Sequence, residues 1–270
     1  MIKYIAKICT KTLFFLNRLI SFVFPYRTVY FRKGKFKLKV STNDELQRFL
    51  TFENKEPETL RWIDSFDFDS DSSQIVFYDI GANVGIYSLY ASYRFPKAKI
   101  FAFEPDSQSF STLVKNIHIN GFKILPFPFA LTDTSGVSTV SISSMNSGAG
   151  ACSLDGKYFF TSHIEEINVF EQGIFFTSLD DLIFKYTLPI PKYIKIDVDG
   201  IELKILNGAT NLLKSNSLKS ILVEFQYTND KQVEMLIDKL ESFGFVLSQK
   251  SDWVSHYMDW NSRNFIFSRS

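Results

Sequence analysis

The stretch "VFYDIGANVGIYSLY", residues 76–90, constrains the fold more than any other part of the chain. An apolar run ends in an acid, Asp79. Gly81 and Gly85 follow four residues apart, and apolar residues then resume. A buried strand that turns sharply into a helix has this pattern. The same alternation continues downstream. It predicts strands over 75–79, 99–103, 124–131, 193–198 and 218–225, with helices over 85–93, 107–119, 201–213 and 230–243. Two last strands, 245–249 and 264–268, have no helix between them and are expected to pair antiparallel. The predicted fold is α/β: a doubly wound, mainly parallel sheet with helices on both faces.

Upstream, residues 28–40 read as a hairpin around Gly34. Residues 42–66 read as helical from a cap at Thr42 or Asn43, and residues 67–74 as a polar linker. Residues 137–143 read as an added β segment and 144–173 as a long irregular loop. Three parts are therefore expected: an amphipathic basic helix over 1–25, a hairpin and helix extension with its linker over 26–74, and the main domain over 75–270.

With 270 residues and 45% hydrophobic content, the chain can bury one large core. A net charge of +1 offers no basic excess for nucleic acid, so no nucleic-acid partner is expected. Two cysteines make no disulfide framework, and the three histidines are too scattered for a metal site, so no metal is expected. A cytoplasmic location follows from the cysteine usage. Lys3, Lys7, Lys11 and Arg18 share one helical face, with Ile5, Ile8, Leu16, Leu19 and Val23 opposite and Phe14 out of pattern. No run is long enough to span a bilayer. Residues 1–24 are expected to lie on the inner membrane face, or else to pack on the domain itself or a second subunit.

In a doubly wound sheet the ligand lies beyond the carboxyl ends of the strands, at the switch point. A dinucleotide site prefers G-x-G-x-x-G, but the matching positions here are Gly81, Asn83 and Ile86. Asp79 at the strand end would repel phosphate and favour a cation. Gly81 is expected where backbone approaches the ligand, and Gly85 where the helix packs near the strand. Glu104 ends the next strand in "FAFEP", placed to accept from both ribose hydroxyls. Asp133, in "FALTDTSG" beyond the third strand, either accepts from an adenine amino group or forms a β-turn. A nucleoside with ribose, positive charge and no phosphate is S-adenosyl-L-methionine.

The ordered set "EPETLRWID", "YDIGANVGIYSLY", "FAFEPD", "FALTDTSG", "TSLDDL", "YIKIDVDGIELKILNGA" and "ILVEF" resembles the FkbM family of S-adenosylmethionine-dependent methyltransferases over residues 56–226. Asp199 stands where that family usually has Glu. The resemblance implies a class I methyltransferase (Rossmann-like) fold with a seven-stranded sheet and one reversed strand. It also implies O-methylation of a hydroxyl of a sugar or glycan, such as surface polysaccharide, or of a polyketide-like metabolite.

Strand parity puts Lys195, Asp197 and Asp199 on one side. Asp197, near the strand's carboxyl end, is the candidate base or acceptor-orienting carboxylate. Lys195 is expected to pair with a carboxylate, because an unpaired buried ammonium is costly. Glu224 on the fifth strand is expected to hold the acceptor or pair with Lys195. Asp199 and Glu202 have capping-box spacing. Asn146 belongs to a candidate lid loop, and His163 is an alternative base. Two other functions fit less of the pattern: a non-catalytic S-adenosylmethionine-binding partner of a glycan-modifying enzyme, and a nicotinamide-dependent oxidoreductase.

Overall fold

The computed structural model describes residues 16, 20, 23–31, 34–66, 72–142, 146–147, 152–154, 170–198, 200–227, 230–252, 254–255 and 261–269. The chain opens with an antiparallel hairpin, β1 (Tyr26–Phe31) and β2 (Gly34–Lys39). The predicted single helix over 42–66 is two helices, α1 (Asn43–Lys55) and α2 (Pro57–Asp64). Pro57 causes the break, since the residue before a proline is pushed out of the helical region. Glu56 accordingly has φ −139° and ψ 67°, and belongs to neither helix. Thr42 caps α1 in a full capping box with Glu45.

The alternating core follows as β3 (Val76–Ile80), α3 (Ile86–Arg94), β4 (Lys99–Phe103), α4 (Ser107–Asn120) and β5 (Ile124–Phe127). Asp106 caps α4 through Gln108 N and Ser109 N, and Gly121 closes it in the left-handed conformation. The expected third strand is cut short. Pro126 and Pro128 remove backbone donors, β5 becomes the edge of the sheet, and the chain leaves it. β6 (Ala130–Leu131), β7 (Gly136–Ile142), β8 (Cys152–Leu154) and β9 (Phe170–Thr177) build a second sheet in the order β6-β9-β7-β8. Strand β9 begins inside the stretch expected to be irregular.

The chain then returns as β10 (Tyr193–Ile196), α5 (Glu202–Asn207), α6 (Thr210–Leu213), β11 (Ser220–Tyr227), α7 (Asp230–Ser242), β12 (Val246–Lys250), β13 (Val254–Ser255) and β14 (Asn261–Ser268). The predicted helix over 201–213 divides at Gly208, where a side chain would meet Thr132 O at 2.3 Å.

The main sheet runs β12-β14-β11-β10-β3-β4-β5. Strands β11, β10, β3, β4 and β5 are parallel, and β14 is antiparallel to both of its neighbours. This is the expected α/β architecture with one reversed strand, and β14 lies between β11 and β12. From β3 the chain steps outward to β4 and β5, then crosses back to β10 and β11. The switch point therefore falls between β3 and β10.

The two faces of the sheet have separate cores. Phe77, Ile100, Ala102 and Leu222 join a cluster that includes the hairpin, α1, α2 and α3. Tyr78, Phe101, Phe103, Ile194, Ile196 and Val223 join the other, under α5, α6 and α7. The abundant phenylalanines stack within these cores, as in the 3.8 Å face-to-face pair of Phe66 and Tyr193. Strand parity of two then fixes where the charged residues go. Asp79, Lys195 and Glu224 each lie between two residues of the second cluster, so they face the α1–α3 side.

Glu45 ties the extension to the domain. It is 1% exposed, and it accepts from Ser41 N and Thr42 N in the cap and from Thr112 Oγ1 on α4. Glu45→Ala strands these buried donors and is expected to cost about 2–4 kcal/mol in urea unfolding. Thr42→Ala, which removes one cap bond, should cost about 1 kcal/mol. Equal losses in the two variants would contradict the bridging role of Glu45.

Candidate active site

The turn after β3 is held by its neighbours on both sides. Gly81 N and Ala82 N both donate to Phe103 O at the end of β4, each at 3.0 Å. Asn83 adopts φ +51°, and its N–H donates to Glu104 Oε2 at 2.7 Å. Asp106 N donates to Glu104 Oε1 at 2.8 Å. Glu104 is therefore a buried clamp between the first two turns of the sheet, at the strand end where a ribose was expected. Each oxygen retains a second lone pair after taking one backbone N–H.

Gly81 also has a close backbone neighbour. It has φ +78°, and a side chain there would stand 1.8 Å from Asp197 O. Its freedom lets the β3 turn lie against the segment after β10, where Asp197 N donates to Ile80 O at 3.0 Å. Gly85 likewise makes room for Leu113 of α4, 2.3 Å from where its side chain would begin, rather than for the strand.

Asp79, Lys195 and Asp197 converge at the switch point. Asp79 and Lys195 are register partners on β3 and β10. Asp79 is 1% exposed; Ser88 Oγ donates to its Oδ2 at 2.6 Å, while Oδ1 has no hydrogen-bond partner among the described residues. Burial pushes the Asp79 carboxyl up, against the pull of Lys195 and Ser88. Lys195 is fully buried, donates to Asp197 Oδ2, and lies 4.8 Å from the centroid of the Tyr87 ring on α3. Burial alone would lower its pKa, but Asp197, Asp79 and Glu56 together raise it. The expected carboxylate partner of Lys195 is thus Asp197.

Two further carboxyls close the cluster. Glu56, turned inward at the Pro57 break, Asp197 and Glu224 each place an oxygen within 4.8 Å of the others. Their pKa values are driven apart. Burial opposes ionisation of Asp197, but the Lys195 ammonium overrides it and holds the carboxyl below the usual range. Glu224 is pushed well above that range by burial, then by the charges of Asp197 and Glu56. Glu224 and Asp197 are hydrogen-bonded to each other, and Ser262 Oγ donates to Glu224 Oε1 at 2.6 Å. Glu56 is held low despite its burial, chiefly by Lys55, whose Nζ is 3.1 Å away. The Tyr87 hydroxyl donates to Glu56 and is kept protonated by burial and by that charge. Lys195 and Lys55 supply the positive charge that the carboxylates need.

Asp133 follows β6 in the second sheet rather than the third strand of the main sheet. It is exposed, accepts from Thr132 Oγ1 at 3.0 Å and lies beside Gly208. No described contact links it to Asp79, Asn83 or Glu104. Helix α5 begins one residue after Ile201, its cap, so the expected Asp199 cap is replaced; Glu202 still accepts from Gly200 N at 3.1 Å. Asp199 and His163 lie outside the described residues, as does most of the candidate lid. Asn146 is exposed, and the adjacent Ser147 O accepts from Thr42 Oγ1 at 2.8 Å. Sequence reasoning missed Glu56, Lys55 and Tyr87. The signal for Glu56 was the proline beside it, which places a charged residue at a break between two amphipathic helices.

A parallel sheet with acids ending its first two strands and an ion-paired crevice at its switch point defines an α/β fold of the class I methyltransferase type. The chain belongs to the FkbM methyltransferase family: the model for the methyltransferase FkbM domain matches residues 79–247. The chain is similar to the hexuronic acid methyltransferase AglP of Haloferax volcanii, with 28% identity over 183 residues, covering 66% of this chain and 69% of the relative. A shorter match, 45% over 42 residues and 16% of each chain, is to methyltransferase sdnD of Sordaria araneosa. Among solved structures, methyltransferase FkbM from Methylobacillus flagellatus KT aligns at 17% identity and a TM-score of 0.47. That alignment covers 82% of this chain and 52% of the other, so this chain spans about half the length of that one.

Burial pushes the Glu104 carboxyl from 4.5 up to about 8, against the pull of the Asp106 and Asn83 N–H groups. Between those values the folded chain holds a proton that the unfolded chain releases. Stability should therefore fall as pH rises through this window, by up to about 1.4 kcal/mol per pH unit from this group. Glu104→Gln is expected to remove that share of the slope in unfolding curves taken across the window. An unchanged slope would mean that Glu104 is ionised in the fold.

Proposed function

We propose that this chain transfers a methyl group from S-adenosylmethionine to a hydroxyl oxygen of a sugar or glycan. The observation that carries the reading is the pairing of two differently charged groups of carboxyls at one switch point. Asp79 and Glu104 lie on the β3–β4 side, and the Lys195-bound Asp197 lies beside Asp79, directly after β10. The residues fit the cofactor: Asp79 Oδ1 is a buried acceptor without a hydrogen-bond partner among the described residues, which suits a cationic amino acid moiety, and Glu104 stands at the end of the next strand as a candidate acceptor for ribose. When bound, S-adenosylmethionine supplies an electrophilic methyl group on a sulfonium.

The chain's own residues position the acceptor and remove its proton. Asp197 is held ionised by Lys195, so it is a weak base but a strong hydrogen-bond acceptor. It orients the acceptor hydroxyl, whose oxygen must lie in line with the bond that breaks. The hydroxyl becomes strongly acidic only as its oxygen takes the methyl group, and at that point a weak base suffices. Glu224, its pKa raised by burial and by the neighbouring carboxylates, hydrogen-bonds to Asp197 and steadies it. The AglP relative, by its name, methylates a hexuronic acid, which supports a sugar acceptor.

Asp197→Asn is expected to lower methyl transfer by about 10²–10⁴, with binding of S-adenosylhomocysteine retained. Glu224→Gln copies the protonated side chain, and its transfer rate should stay within about tenfold of the parent. Tritium transfer from labelled cofactor to a glycan pool reads both. If Asp197→Asn is folded and stays within a few-fold of the parent, Asp197 serves only to neutralise Lys195. Absence of transfer by the parent chain, with S-adenosylhomocysteine still bound, would favour the non-catalytic partner. A rise in transfer on adding magnesium would favour a second reading, in which Glu56, Asp197 and Glu224 hold a metal.

The proposed place of work is the cytoplasmic membrane face. No helix among the described residues is long and apolar enough to cross a membrane. Leu16, Ile20 and Val23 are helical and exposed by 46%, 47% and 64%, as side chains entering a lipid surface would be. The full chain should sediment with anionic vesicles, more weakly at high salt, and a chain starting at Tyr26 should not. Loss of solubility on that truncation, with no vesicle binding by the full chain, would show that the segment packs on protein instead.

A further inference from the structure

Charge is spread unevenly along this chain. Residues 1–43 hold ten of the 30 lysines and arginines and none of the 29 acids. The rest holds twenty cations against 29 acids, so the net charge of +1 conceals a segment of +10 and a remainder of −9. Six of the ten cations fall between residues 26 and 39, the span of the β1–β2 hairpin. Strand parity sorts that hairpin into two faces. Val29, Phe36 and Leu38 are buried in the cluster shared with α1, α2 and α3. On the outward face, Tyr26, Thr28 and Tyr30 of β1 stand opposite Lys39, Lys37 and Lys35 of β2.

Tyr26 and Tyr30 are 44% and 72% exposed, with Lys35 and Lys37 exposed beside them. Lys35 Nζ lies 5.9 Å from the centroid of the Tyr30 ring. Lys39 is taken by Glu45 at 3.5 Å, but Lys35 and Lys37 have no ion-pair partner among the described residues. The face is held rigidly. Lys37 N and Lys39 N donate to the Oδ1 atoms of Asn120 and Asn116 on α4, each at 2.8 Å. Val40 N donates to Pro25 O, which fixes the point where residues 16–24 join the hairpin. Leu16, Ile20, Val23 and Phe24 in that segment are exposed. Lysines alone would be a solvated face. Here they alternate with tyrosines, whose rings suit the boundary between water and hydrocarbon, and exposed apolar side chains adjoin them. A nucleic acid or a soluble glycan offers negative charge without hydrocarbon, whereas an anionic bilayer offers both.

We propose that the outward face of the hairpin, with Tyr26, Tyr30, Lys35 and Lys37, is a second docking surface for an anionic lipid bilayer. The inference rests on the membrane reading of residues 1–24 and extends it into the folded domain. The lysines meet lipid headgroups while the tyrosine rings sit at the headgroup level. The acidic remainder is repelled by the same surface, so the hairpin side of the molecule is held toward the lipid. Two lysines and two tyrosines are too few to hold the protein by themselves, because stable attachment takes two signals. A chain starting at Tyr26 therefore still fails to sediment.

The test measures sedimentation of the full chain with vesicles of phosphatidylcholine containing about one-third phosphatidylglycerol, across a range of lipid concentrations. Lys35→Gln and Lys37→Gln should each weaken binding about fivefold, and the double variant about thirtyfold, with the differences shrinking at high salt. Tyr30→Ser should weaken it a few-fold at low and high salt alike, because seating a ring in the interface does not depend on charge. Lys214→Gln removes one exposed lysine from the other face of the sheet, after α6, and should bind as the parent does. All four side chains are exposed, so unfolding midpoints and binding of S-adenosylhomocysteine should match the parent. Binding by the double variant as tight as the parent's would overturn the inference and leave the role of residues 1–24 intact. So would loss of heparin binding without loss of vesicle binding, which would assign the face to a soluble polyanion. A full chain that ignores these vesicles would overturn the membrane reading and the hairpin's part in it together.

Discussion

A lysine ammonium in the middle of a parallel sheet must be neutralised where it stands, because moving an unpaired charge out of water costs several kcal/mol. Lys195 is that group. It has apolar neighbours on either side along β10 and no exposure to solvent. Its compensation organises the surroundings: Asp197 takes its proton donor, Asp79 faces it from β3, and the Tyr87 ring lies beneath it. Each of these residues comes from a different element. The ammonium thus fixes the relative position of β3, β10 and α3 at the point where ligands bind in this fold.

The same pairing sets the chemistry. An aspartate so close to a buried ammonium is held below the usual range, and the next carboxyl in the cluster is pushed the other way. Burial raises Glu224 most, and the charges of Asp197 and Glu56 raise it further. Glu104 and Asp79 on the β3–β4 side are likewise raised by burial.

The extension is part of this machinery rather than an appendage. Its hairpin and helices share one hydrophobic cluster with β3, β4 and α3. Glu45 joins the cap of α1 to α4, and the break at Pro57 delivers Glu56 to the carboxyl cluster. Lys55 pairs there with Glu56. A segment outside the family-matched region therefore contributes charged groups to the crevice.

The local sequence determined the strands, most helix caps and the candidate cofactor turn, because periodicity, capping residues and glycine spacing act over a few residues. Parity along one strand put Lys195 and Asp197 on one side, and the structure pairs them. What it could not reach was longer in range. Gly81 serves a backbone contact with Asp197, which no local pattern encodes. The third strand ended early because an edge strand tolerates prolines and an interior one does not. Strand β9 was hidden because its partners in the second sheet are far away in sequence. Glu56 reached the site only through the fold, since burial and charge pairing depend on which distant groups packing brings within a few ångströms. The chain thus wrote its elements locally, and tertiary structure alone decided which carboxyls met at the switch point.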